Sequence, residues 1–201
     1  MMDHVRPALV LLLAFTALTG VAYPLVITGI AQGLFPAEAN GSLVVKDGRV
    51  VGSGLIGQAF TDPGYFHGRP SAAGTGYDAA ASSGSNLAPT SARLAERLQA
   101  DVQALRGDGV AATIPADLVT SSASGLDPHL SPAAALLQAP RVASARGVAT
   151  TAVEALVRGQ VEQREVGILG EERVNVLMLN LALDQTYPRR PAAPDAGLGT
   201  S

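Results

Sequence analysis

Asp127 and His129 stand two residues apart in the run TSSASGLDPHLSP, residues 120–132, which also carries five Ser or Thr side chains. A carboxylate, an imidazole and a serine can form a nucleophilic relay when the acid lies behind the ring and the hydroxyl in front. An i,i+2 pair flanking Pro128 is poor geometry for that relay, and no G-x-S-x-G elbow occurs in the chain. The plainer reading gives Asp127 to backbone donors of a turn and His129 to a hydrogen bond within it. A membrane-anchored hydrolase or binding module using the Asp127/His129 loop stands as the alternative.

Other candidates are weaker as chemistry. YFHGRPS, residues 65–71, places Tyr65, Phe66 and Arg69 in one loop. They can form a recognition surface, because Arg offers a planar fork and the rings offer area. Equally, Phe66 can pack inward while Arg69 closes the loop on carbonyls. SGSNLAPTS, residues 83–91, reads as a turn at Asn86 followed by a helix cap. GSGLIGQ, ending at Gln58, is glycine-rich, but such a strand more often serves close packing than phosphate binding. No G-x-x-x-x-G-K-[ST] loop exists, and the single lysine, Lys46, precedes Asp47. His4, His67 and His129 have no partner at zinc-site spacing, so no metal ligand set is assigned. Cysteine is absent, which removes disulfides and thiolates. A net charge of −3 supplies no basic field for nucleic acid. The chain itself thus shows no catalytic set and calls for no cofactor of its own.

The elements that must position these residues are legible in outline. SLVVKDGRVVGSGLIGQAF predicts a hairpin, with strands near 43–46 and 49–57 turning at Asp47–Gly48. Residues 61–89 have no usable period and are too long for an ordinary connection, so they are functional, an interface or partly mobile. Leu94, Leu98, Val102 and Leu105 mark one face of a helix capped at Thr90 or Ser91 and ended by Gly107 and Gly109. Ser131–Pro132 is a helix start, and that helix should break or kink at Pro140. TAVEALVRG is a short helix with capping-box spacing from Thr151 to Glu154. GILGEERVNVLMLNLALDQTY reads as a mostly buried helix. The fold class expected is α+β, one small domain over residues 38–187, with a disordered tail at 188–201.

Residues 1–37 differ in kind. No charge falls between Pro7 and Ala37, a stretch longer than the 7–15 residues of a signal-peptide core. Residues from about 8 to 35 are enough to span a bilayer core of about 30 Å as a helix. Pro24 should kink that helix, and Gly20, Thr28 and Gly29 offer small surfaces for a neighbouring helix. Arg6 and the α-amino group precede the span, which points to a cytoplasmic N-terminus and an extracytoplasmic domain.

Laid in order, YPLVITGIAQGLFPAEANGS, GSGLIGQAF, YFHGRPSA, SGSNLAPT, DLVTSSASGLDPHLSPAAA, QAPRVASARG and LGEERVNVLMLNLALD resemble the C subunits of bacterial Kdp potassium-transporting P-type ATPases. The resemblance runs from the anchor to about Tyr187; Asp78, Ala88 and Ser91 depart from its pattern. It implies an accessory subunit of a bacterial inner-membrane complex that uses ATP and transports K+. The implied partners are a channel-like potassium-translocating subunit, a P-type ATP-hydrolysing subunit and a small additional membrane subunit. It also implies a chaperone effect on ATP affinity through a glutamine at the position of Gln58. With a cytoplasmic N-terminus, one span puts Gln58 on the side away from ATP, so that effect would be transmitted through a partner.

Overall fold

The computed structural model describes residues 4–111 and 113–188. The segment from 189 onward, on which the expectation of a disordered tail falls, lies outside the described residues. The chain divides into two compact units, residues 1–53 and 54–201. The first unit holds the apolar helix and the hairpin.

In the first unit, α1 (Val5–Ala17) and α2 (Tyr23–Leu34) form one apolar helical run, Val5–Leu34, joined through a π-helical turn at Leu18–Ala22. At 1.5 Å per residue its 30 residues extend about 45 Å, more than a bilayer core requires. Pro24 explains the turn. It cannot donate, and its ring crowds the carbonyl four residues back, so the ladder widens just ahead of it. Thr19 Oγ donates to the Phe15 carbonyl at 2.7 Å, satisfying one acceptor there. The short α3 (Pro36–Ala39) leads into β1 (Leu43–Lys46) and β2 (Arg49–Ser53). Asp47 and Gly48 both take positive φ (52° and 75°), as a two-residue hairpin turn requires. A register shift falls between Val44 and Val45, which face Gly52 and Val50 in turn. β2 stops at Ser53 instead of continuing to 57. The groups beyond it are engaged elsewhere: the Gly54 carbonyl accepts from the Asn175 side chain (2.8 Å), and the Gly57 N–H donates to Leu126 (2.8 Å).

In the second unit, α4 (Ala92–Gly107) is amphipathic but buries no residue fully. Ser91 is its N-cap by backbone, yet its hydroxyl makes no capping bond. β3 (His129–Leu130) pairs antiparallel with β4 (Val174–Asn175). α5 (Pro132–Arg146) starts as its sequence dictates, with the Ser131 hydroxyl accepting from the Ala134 N–H at 3.1 Å. α5 runs unbroken through Pro140, which sits on the exposed side where water can take the bond proline cannot make. Gly147 closes the helix in the left-handed region. α6 (Thr150–Gly159) begins with Ala149 at N-cap, so Thr151 lies inside the helix and the capping box does not form. The terminal helix is shorter than its apolar run: α7 spans Val176–Thr186. Asn175 ends the strand and caps the helix, its side chain accepting from Met178 N–H at 3.2 Å.

The core lies between α5, α6 and α7. Ala134, Ala135, Ala139 and Ala143 give α5 a shallow buried face. Against it pack Val153 and Val157 of α6, Leu179 and Leu183 of α7, Leu130 and Val174 of the short ribbon, and Phe66 from the long loop. Small residues on one helix let the partner approach closely, so branched side chains opposite fill the space.

Candidate functional site

Residues 61–89 have little secondary structure beyond one helical turn, Ala79–Ala81, yet they are held by side chains from three directions. Asn180 of α7 grips Phe66 with both ends of its amide: Phe66 N–H donates to Oδ1 (2.8 Å) and Nδ2 donates to the Phe66 carbonyl (2.9 Å). Gln138 of α5 does the same to His67 (2.9 and 3.0 Å). Two consecutive loop residues are thus paired as if to a neighbouring strand, by amides projecting from two helices. Arg141 donates to the carbonyls of Pro63 (2.6 Å) and Tyr65 (3.0 Å). Arg146, its side chain 1% exposed, donates to Gly64 and Tyr187 carbonyls and lies 4.8 Å from the Tyr65 ring centroid. Its Nη2 is 2.9 Å from Asp184, a charge contact without hydrogen-bond alignment. Tyr65 donates its hydroxyl proton to the same carboxylate at 3.0 Å.

The other end of the loop meets the Asp127 corner. Arg69 Nη1 donates to Asp127 Oδ2 at 3.0 Å, while its Nε and Nη2 reach the Thr120 carbonyl and hydroxyl, both at 3.3 Å. Asp127 Oδ1 accepts from the His129 N–H at 3.0 Å, an Asx-type turn across Pro128. Burial pushes this carboxyl's pKa up, but the hydrogen bonds from His129 and Arg69, with the Arg69 charge, hold it below the ordinary carboxylate value. The His129 ring faces acids on both sides: Nδ1 is 3.4 Å from Asp127 and Nε2 is 4.0 Å from Glu162. Neither nitrogen is hydrogen-bonded to a hydroxyl among the described residues.

Tyr77 lies beneath this pair. Its hydroxyl donates to the Arg69 carbonyl (2.6 Å) and its N–H to Ser71 Oγ (2.8 Å). Burial first, then the Asp127 charge, raise its phenol pKa against the opposing pull of Arg69. Gly57 and Gly68 make room for its ring. A Cβ on Gly57 would sit 2.7 Å from both the Tyr77 ring and the Asp127 carbonyl, and one on Gly68 would strike the Tyr77 hydroxyl. Gly125 (φ 67°) is needed both for its backbone and for space, since a Cβ there would lie 2.6 Å from the Ser83 carbonyl. Ser71 Oγ donates to that glycine's own carbonyl at 2.6 Å.

The residues singled out by sequence sort clearly. Arg69, Asp127 and His129 meet in one cluster. Phe66 is wholly buried, and Tyr65 packs on the core edge with its ring 5.6 Å from Phe60. Asn86 stands apart as an exposed residue with φ 51°, a conformation asparagine tolerates. Gln58 borders a crevice with Tyr77, Asp127, Pro128 and Val176 that is too narrow for a water molecule. A larger cleft of about 410 Å³ lies between α4 and the loop, lined by residues including His67, Arg69, Asp101, Asp108 and Arg141. Among the described residues no three His, Asp or Glu side chains are grouped as metal ligands. Gln138, Asn180, Arg141 and Arg146 were not anticipated. The available signal was a lone amide in each of two otherwise apolar helix faces.

Fold and site together define a small α+β unit whose polar side chains pin loops to helices, carried on a chain with one apolar helix long enough to span a membrane. Residues 5–185 match the family described as K+-transporting ATPase, c chain. The chain is 59% identical to the potassium-transporting ATPase KdpC subunit of Caulobacter vibrioides over 94% of its own length and 96% of the relative's. The corresponding subunit of Gemmatimonas aurantiaca is 58% identical (96% and 98% covered), and that of Methylorubrum populi 57% (94% and 100%). The chain belongs to the KdpC family.

Proposed function

We propose that the chain is a non-catalytic accessory subunit of an ATP-driven potassium uptake complex in the bacterial inner membrane. In this reading its single helix crosses the membrane with the N-terminus in the cytoplasm, and residues 38–187 lie outside. It stabilises the association of a channel-like potassium-translocating subunit with a P-type ATP-hydrolysing subunit, alongside a small additional membrane subunit. ATP is used and K+ is carried by those partners.

The observation that carries the reading is the apolar run Val5–Leu34, of which none is buried within the chain. A Cβ added at Gly20 or Gly29 would meet nothing within 4 Å, so the small faces beside Thr28 have no use inside the chain and suit close approach of another helix. A reporter fused to the C-terminus tests the topology. Activity only of a reporter that functions outside the cytoplasm is expected; activity only of a cytoplasmic one refutes the orientation.

An effect on ATP affinity fits this reading only as a transmitted one. The crevice beside Gln58 admits no nucleotide, and in the proposed orientation it faces away from the ATP pool. Coupling would then pass through partner helices. Gln58→Ala is expected to alter the ATP KM of the intact complex without nucleotide crosslinking to this chain. An unchanged KM removes Gln58 from that role.

A further inference from the structure

Residues 162–173 fold back on themselves as a narrow ribbon. Glu162 and Arg173 exchange backbone hydrogen bonds (2.8 and 3.1 Å), and Glu165 and Leu169 do likewise (both 2.9 Å). Its tip is apolar and out in solvent: Val166 is 89% exposed, Ile168 77% and Leu169 60%. The turn is closed by the Ile168 N–H on the Glu165 carbonyl (3.2 Å), with Val166 at φ 53° and Gly167 at φ 77°. Such a turn calls for Asn, Asp or Gly at its first central position. A β-branched residue there is a backbone outlier. The tip therefore carries two costs at once, exposed apolar surface and a strained residue, and burial within the chain offsets neither. Strain of this kind persists where it serves a function.

We infer that this tip is a docking finger: Val166, Ile168 and Leu169 enter an apolar socket on a protein subunit of the same complex, and the socket is rimmed by Arg or Lys. The inference rests on the assembly role proposed above and names the segment that performs it. Charge selects the occupant. The ribbon carries Glu162, Glu165, Glu171 and Glu172 against Arg164 and Arg173, an excess of two carboxylates. Arg164 pairs with Glu171, and Arg173 with Glu162 (2.9 Å) and, more distantly, Glu165 (3.9 Å), so the guanidiniums are already engaged. An acidic collar is repelled by an anionic lipid surface. It is drawn to a cationic protein rim, which also fixes register.

The test uses the full chain, affinity-tagged and co-expressed with the other subunits, and follows the half-life of the purified complex on dilution. Val166→Asn and the double variant Ile168→Ser/Leu169→Ser are expected to shorten that half-life at least about tenfold, as loss of an apolar anchor does. Raised salt is expected to shorten it for the parent chain. Asn suits the turn, so Val166→Asn should leave the melting temperature of the chain alone unchanged or higher, separating docking from folding. Parent-like half-lives in both variants overturn the inference. Because the chain has no cysteine, Ile168→Cys can carry one polarity-sensitive dye. It should report water when the chain is alone in phosphatidylcholine vesicles and an apolar site in the complex; shielding before any partner is added assigns the tip to lipid and overturns the inference. A parent chain that co-purifies with no other subunit overturns the assembly reading itself, whatever the tip does.

Discussion

His67 and Asp127 each make folding stability depend on pH, in separate windows. The His67 ring is half-buried with Nε2 3.0 Å from the Asp62 carbonyl, a contact that requires the proton on Nε2. Burial, with help from the Arg141 charge, lowers its pKa against the opposing effect of Asp62 and its carbonyl. The unfolded chain therefore takes up this proton first, and stability contributed by neutral His67 is full above about pH 6.5 and falls as pH drops below it. His67→Gln is expected to flatten the pH dependence of the melting temperature below about pH 6.5. Asp127 acts lower down: its depressed pKa contributes stability above about pH 4, lost as pH falls through the folded value. Removing the carboxylate leaves Arg69 facing Thr120 alone and the His129 N–H without its acceptor. Asp127→Ala should destabilise the chain by about 1–3 kcal/mol. Its measurable consequence is a lower yield of intact complex with near-normal turnover per complex. Normal yield with abolished turnover would instead assign Asp127 a direct part in transport.

Between residues, what matters is how elements are tied. The Tyr77 ring is caged by two glycines, and the cage makes a pairwise prediction. Gly68→Ala places a methyl against the Tyr77 hydroxyl and should cost about 1–3 kcal/mol, as overpacking does. Tyr77→Phe removes that oxygen and its bond to the Arg69 carbonyl. Thermal melts of the two single variants and the double should show a double-variant cost below the sum, because the clash and the bond share one atom. Additive costs would mean that the added methyl does not meet the Tyr77 hydroxyl. The tied elements were legible wherever local chemistry sets them. Asp47–Gly48 announces its turn, Ser131–Pro132 its helix, and the spacing of Leu94, Leu98 and Leu105 its face. They were illegible where long-range partners decide. VNVLMLNLALD has no period that separates strand from helix, and the break falls at Asn175 because its side chain caps Met178 while its backbone pairs with His129. Thr151 and Glu154 have the spacing of a cap, but the helix starts at Thr150 with Ala149 at the N-cap, two residues after the left-handed Gly147 that ends α5. The pairing of Arg69 with Asp127 joins residues 58 apart in sequence, a distance no local pattern encodes.

At the scale of the whole molecule, the anchor tests the assembly role without disturbing the fold. A Cβ added at Gly29 meets nothing within 4 Å beyond its own stretch of helix. Gly29→Leu should leave membrane insertion and melting of the chain unchanged while lowering the amount of partner subunits recovered with it; full recovery would show that this face looks into lipid. The amide clamps carry a different consequence. Asn180 and Gln138 stand 114 and 71 residues after the loop positions they hold. While the chain is being synthesised, residues 61–89 emerge long before their holders exist. Contacts so distant in sequence form late and slowly. The clamp on Phe66 cannot close until the first half of α7 has been made, so a chain cut short before Asn180 lacks both that amide and Leu183 of the core, although Gln138 and Arg141, which hold the neighbouring residues, are already present.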